Sequence, residues 1–276
     1  MNTLPLRFLA FLSIILTIFI NLLANALPIA GRTTAEISDM FGVLFVPAGY
    51  VFAIWGLIYI AILGYGIWQI HHKQEKLELA DRIAPLVIIT SIANSIWIFL
   101  WHNLQIELSL FAMLTLLLAL IMIYTRVAKY SGDAAKSSLY KVFVKGTFSL
   151  YLGWISVATI ANVTNVLYLR MYDIAGTSLE LLQTISFRPM LLNIPDEIWA
   201  ASLIVIAGVL ASAMLIRYRD FVYALVILWA LVGIYVKFTE IREITIAVFA
   251  SVLIILAAMN LVRMRKEPLK TRKKRS

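Results

Sequence analysis

Eight apolar runs separated by short polar stretches make up most of the chain, at about residues 6–30, 47–70, 83–102, 108–128, 142–169, 197–216, 220–237 and 244–262. Each reads as a helix that crosses a bilayer, since a ~30 Å hydrocarbon core needs about 20 apolar residues at ~1.5 Å each. The seventh run is short and is bracketed by Arg219–Asp220 and Lys237. The second is the most patterned. From Val46 to Gln69 it carries no charge and opens with Pro47, whose missing N–H suits a first helical turn. Phe52, Trp55, Tyr59 and Gly66 recur at helical spacing and put an aromatic stripe on one face. Gly49 and Ala53 form a small pair on another face, where a neighbour can come close.

The basic residues orient these spans. With the N-terminus in the cytoplasm, 19 Lys and Arg fall on the inside and five outside (Arg32, Arg170, Arg188, Lys237 and Arg242). The positive-inside rule then puts both termini in the cytoplasm, which requires an even number of spans. The first run also resembles a signal peptide: Arg7, then Phe8 to Ile20, then Ala24-Asn25-Ala26. Its apolar stretch continues to Ala30, so a retained helix is the preferred reading over a cleaved signal.

Composition agrees with a membrane protein. The chain has 276 residues, 62% hydrophobic and only 14% charged, more apolar surface than a soluble domain of this length can hide. The net charge of +9 resides mostly in the tail from Arg263 to Ser276, beside a membrane helix. It is read as orientation and contact with anionic lipid rather than with nucleic acid. The chain contains no cysteine, which excludes disulfides, thiolate metal sites and thiol nucleophiles.

Candidate chemistry lies inside the spans. Asn94, Trp97 and Trp101 share a face of the third run, and Trp154, Ala158 and Asn162 share most of one face of the fifth, with Asn165 nearby. A buried amide in hydrocarbon must be hydrogen-bonded, so these asparagines should point inward, either to brace helices or to meet a ligand. Trp68, Trp101 and Trp199 lie near span ends, where an interfacial belt explains them. Trp55 and Trp154 lie deeper and point to an aromatic-lined cavity for a flat, greasy molecule. No Asp, Glu, Lys or Arg occupies the middle of a run, which argues against proton pumps, ion-coupled carriers and voltage sensors. His71, His72 and His102 are badly placed to share a metal, and no nucleotide or hydrolase motif is present.

At these residues the chain resembles the TspO/MBR family, the tryptophan-rich sensory proteins whose animal members are the translocator proteins. That family's second helix opens Pro-Pro-x-Trp-Val-Phe-Gly-Pro-x-Trp; here the text is Pro47-Ala48-Gly49-Tyr50-Val51-Phe52-Ala53-Ile54-Trp55, followed by Ile58-Tyr59 and Gly64-Tyr65. Its third helix has an Asn before spaced tryptophans, like Asn94, Trp97 and Trp101. Its fifth reads Pro-Tyr-x-x-Trp-x-x-x-Ala-x-x-x-Asn, matched by Leu150-Tyr151-Leu152-Gly153-Trp154, then Ala158 and Asn162. Several features depart from the pattern: Tyr50 and Ala48 replace a tryptophan and a proline, Val163 follows the helix-five asparagine, and three runs extend past the fifth.

The resemblance covers residues 1–170. It implies an all-α integral membrane protein, a five-helix TspO-like bundle plus three additional helices, eight spans in total. The expected divisions are 1–170 for the bundle, 171–196 for an external loop with an amphipathic stretch at Leu179–Ile185, 197–262 for the added helices, and 263–276 for a basic cytoplasmic tail. The expected location is a bacterial plasma membrane, and a homodimer is compatible with the family. Family members bind tetrapyrroles such as protoporphyrin. Carried over by position, with the neighbouring stripe, the ligand-binding residues are Phe52, Trp55, Tyr59, Asn94, Trp97, Trp154, Ala158 and Asn162. The expected role is sensory or regulatory binding of an aromatic ligand, a porphyrin first, with no cofactor beyond that ligand. The alternatives are a transporter of a small hydrophobic molecule and a porphyrin-degrading enzyme, whose chemistry would have to reside in the ligand.

Overall fold

The computed structural model of the chain describes residues 4–27, 29–71, 78–171 and 194–264. Among these the protein is all-helical, with no strand. The main helices are α1 (Leu4–Ala26), α2 (Thr34–Asp39), α3 (Ile54–His71), α4 (Glu78–His102), α5 (Ile106–Lys129), α6 (Thr147–Met171), α7 (Asp196–Tyr218), α8 (Phe221–Lys237) and α9 (Arg242–Met264). Among the described residues, seven helical segments are long and apolar enough to span a membrane. The eighth apolar helix, α8, has 17 residues, about 26 Å at ~1.5 Å each. Most of the external loop, including Leu179–Ile185, and most of the basic tail lie outside the described residues.

Two boundaries differ from the sequence pattern. Helix α1 stops at Ala26, not Ala30. Pro28 disfavours helical backbone in the residue before it, and Ala30 takes a left-handed conformation (φ 55°) within a 3-10 turn. The second span opens as a 3-10 turn, Gly49–Ala53, before α3 begins. Gly49 therefore faces α2, not a spanning helix: a Cβ on it would lie 3.7 Å from Ala35 Cβ.

Helices α1, α3, α4, α5 and α6 form one bundle. Helix α1 is an integral part of it. Arg7 pairs with Asp81, Thr17 Oγ1 donates to Ser91 O at 2.9 Å, and Asn21 Nδ2 donates to Asn94 Oδ1 at 2.6 Å. Gly66 makes the approach possible, since a Cβ there would lie 2.7 Å from Phe11 Cδ2.

Helices α7 and α9 pack mainly on each other through small residues, with Gly208 against Ser251. Helix α8 joins this pair to the bundle. It lies against α6 at Gly153, where an added Cβ would sit 3.1 Å from Val226 Cβ. The turn before α8 is fixed by buried Asp220, which caps α8 by accepting from Tyr223 N at 3.1 Å. Its carboxylate also accepts from the Tyr124 hydroxyl at 2.7 Å and from Ser149 Oγ, tying the turn to α5 and α6. Three bonds compensate an acid that would otherwise be costly to bury.

Candidate functional site

The aromatic residues of three spans converge. The 3-10 turn supplies Phe52, and the first turn of α3 supplies Trp55. Trp97 and Trp101, one turn apart on α4, stack with centroids 5.6 Å apart. Trp97 stacks on Trp55 at 5.9 Å, while Trp154 of α6 meets Trp55 edge-on at 6.2 Å and Phe52 edge-on at 5.7 Å. Such offset and edge-to-face pairs are the favoured aromatic geometries.

These rings surround one small cavity. Its walls are Phe52, Trp55, Trp97, Trp101, Trp154, Val157, Ala158, Ala161 and Asn162, with Thr34 and Ser38 of α2 and Pro47 closing one side. The volume is about 30 Å³, room for little more than a water molecule. Helix α2 thus acts as a lid. Trp101 Nε1 donates to Thr34 O at 3.3 Å and fastens it to α4. A capping box holds the lid's own first turn: Glu36 N donates to Thr33 Oγ1 at 3.3 Å, and Thr33 N donates to Glu36 Oε2 at 2.7 Å. The bond from Thr33 N, followed by that from the Thr33 hydroxyl, holds the Glu36 carboxyl below its ordinary range.

The cavity walls carry unused hydrogen-bonding groups. Asn162 Nδ2 donates to Ser109 Oγ at 3.1 Å, while its Oδ1 is buried without a partner. The indole N–H groups of Trp97 and Trp154 are likewise buried and unpartnered. Two donors and one acceptor of the wall residues are therefore left unpartnered, and each is costly until a ligand or water engages it. No wall residue is ionisable, so the walls are built for stacking and hydrogen bonding rather than acid–base chemistry. Among the described residues no group of three or more His, Asp or Glu side chains is placed to hold a metal.

Six of the eight residues picked from the sequence meet here: Phe52, Trp55, Trp97, Trp154, Ala158 and Asn162. Tyr59 lies behind the wall, stacked on Trp55 at 5.7 Å. Asn94 is turned toward α1, where its Oδ1 takes the Asn21 amide. Trp101, Pro47, Thr34 and Ser38 join the wall without a site signal in the sequence. Trp101 reads as a belt residue by depth, yet its spacing from Trp97 puts both rings on one helical face. Trp68 is not a belt residue either: it is buried, stacked on Tyr65 and edge-on to Tyr140.

Helix α8 grips the same wall. Ala48 N donates to Gly233 O at 3.1 Å, and Trp229 Nε1 donates to Val51 O at 3.1 Å. Tyr50 packs on Trp229 with centroids 5.6 Å apart. At the end of α8, Lys237 pairs with Asp39, the last residue of the lid. Helix α8 thus holds both the lid and the segment that follows it.

A family model described as TSPO-like protein matches residues 7–262. The match continues through α7, α8 and α9, well past residue 170, where the motif resemblance stops. No curated protein matches the chain. No solved structure matches it either.

Proposed function

The chain belongs to the TSPO-like protein family, and on that premise we propose that this integral membrane protein binds a flat hydrophobic aromatic molecule, a porphyrin-type tetrapyrrole first, beneath the α2 lid. One observation carries the reading. Four tryptophans and Phe52, drawn from three spans, enclose a cavity whose wall residues keep two indole N–H groups and one amide oxygen unpartnered. Ring faces offer stacking surface, and the Trp97 and Trp154 N–H groups with Asn162 Oδ1 offer a polar edge.

A porphyrin is far larger than a cavity of about 30 Å³. The form described here is therefore the closed one, and binding selects a form in which α2 swings out and the rings part. Because α8 holds both lid and wall, opening is coupled to the C-terminal helices, which gives a sensory or regulatory role a physical route. The reading keeps both termini in the cytoplasm of a bacterial plasma membrane, supported by the distribution of basic residues.

The test is titration of protoporphyrin into detergent-purified protein, followed by tryptophan emission. Saturable quenching is expected, because four of the seven tryptophans line the site. Emission that falls only in proportion to porphyrin absorbance would reject the proposal. A chemically unchanged porphyrin after prolonged incubation in light and air separates binding from turnover.

A further inference from the structure

A second cavity lies on the opposite side of α6. It is a groove of about 450 Å³ in the seam where α7 and α8 meet α5 and α6, far roomier than the cavity under the lid. Its walls include Leu117, Leu152, Ile160, Leu203, Met214 and Tyr223. The three wall hydroxyls of α6 are already committed within that helix: Ser156 donates to Leu152 O at 2.8 Å, Thr159 to Ile155 O at 2.7 Å and Thr164 to Ile160 O at 2.8 Å. To a ligand the wall is hydrocarbon.

The groove is long. On α7 it runs from Trp199 to Met214, about 22 Å at ~1.5 Å per residue. Its rim residues Ile121, Leu167 and Leu210 are exposed on membrane-spanning helices, so it is continuous with the lipid-facing surface. At the Trp199 end it narrows into a recess shared with Tyr168 and Asp196. The Trp199 indole N–H is buried there without a partner. Trp199 is in the first turn of α7, the depth at which lipid ester groups lie.

We propose that this seam is a binding site for one phospholipid, with an acyl chain laid along the groove toward Met214 and Tyr223 and an ester oxygen accepting from Trp199 Nε1. The chain fills a hydrocarbon groove that direct helix packing leaves open, and the ester engages the unpartnered Trp199 indole N–H at its end. The lipid mortars α7 to the bundle along the face where direct helix packing leaves a gap. This site is independent of the porphyrin reading.

The full chain in nanodiscs containing a phospholipid with a diazirine at its acyl terminus tests this, with crosslinks mapped by mass spectrometry. The account expects labelling concentrated at Met214 and Tyr223. It expects that labelling to be lost in Leu203→Trp, which fills the groove, and to be kept in Trp199→Phe with faster loss of the lipid on detergent washing. Labelling spread evenly over fully lipid-facing residues such as Leu118, Phe249 and Leu253 would show bulk lipid only and overturn the proposal. So would undiminished labelling of Met214 in a monodisperse Leu203→Trp protein. Should that variant not fold, the wild-type map alone still decides between the groove and bulk lipid.

Discussion

A Cβ placed on Gly233 would lie 2.2 Å from Val51 Cγ2, closer than any side chain tolerates. Helix α8 therefore reaches the cavity wall only because residue 233 lacks a side chain. Pro47 Cβ, 3.0 Å from the same point, closes the other way out. Gly233→Ala is expected to push α8 away from residues 47–51 and to cost about 1–3 kcal/mol, the usual penalty for overpacking. Thermal unfolding in detergent measures it. Gly56→Ala is the control, since nothing lies within 4 Å of its added Cβ. It should be neutral or slightly stabilising, as alanine is the better helix former.

The Lys237–Asp39 pair is partly exposed, with side-chain accessibilities of 23% and 47%, so its worth to global stability is below about 1 kcal/mol. Its effect should be local. Lys237→Ala is expected to leave the melting temperature nearly unchanged while speeding hydrogen exchange in α2. The swap Asp39→Lys with Lys237→Asp should restore slow exchange. Equal exchange in wild type and Lys237→Ala would remove the pair from any role in holding the lid.

The lid should loosen in acid. The folded Glu36 carboxyl titrates below the ordinary glutamate value of about 4.3. Its stabilising contribution is therefore complete above that value and disappears as pH falls through the lower folded value. Spectroscopic probes on α2 should report fraying in that acid window, and Glu36→Ala should show the same looseness at neutral pH. Glu36→Gln, which can still reach the Thr33 N–H, should keep the turn closed without the pH response.

Topology gives a fourth prediction. Reporter fusions should place both ends of the chain in the cytoplasm, following the basic count of 19 against five. Intact mass should show α1 retained, since it supplies bonds to Asp81, Ser91 and Asn94 that no other helix replaces. Opposite sides for the two ends, or loss of residues 1–26, would contradict this.

What the sequence revealed and what it hid have physical reasons. Trp55 and Trp154 were legible because deep rings on helices with small neighbours have few other uses. Ala158 and Asn162 followed from Trp154 by helical spacing alone. Asn94 braces α4 against α1: periodicity gives the face of a helix but not which neighbour faces it, and Asn21 became its partner only once α1 packed on α4. Trp101 and Trp68 read as belt residues in the sequence because depth along a helix says nothing about lateral burial. The grip of α8 on the lid and the wall left no mark in the sequence. That grip rests on backbone atoms of Ala48, Val51 and Gly233, and a carbonyl acceptor has no residue type to read.

The central claim is that Trp55 and Trp154 face a single ligand site across the interface of α3 and α6, and porphyrin affinity in the two alanine variants tests it most directly. Trp55→Ala and Trp154→Ala should each weaken protoporphyrin binding by about 1–3 kcal/mol, the loss of one stacked ring and its buried area. Trp55→Phe and Trp154→Phe, which keep a ring, should lose less. Trp68→Phe, away from the cavity wall, should bind like wild type. Equal affinity in wild type, Trp55→Ala and Trp154→Ala, with all three monodisperse, would contradict the claim and return both tryptophans to the packing core.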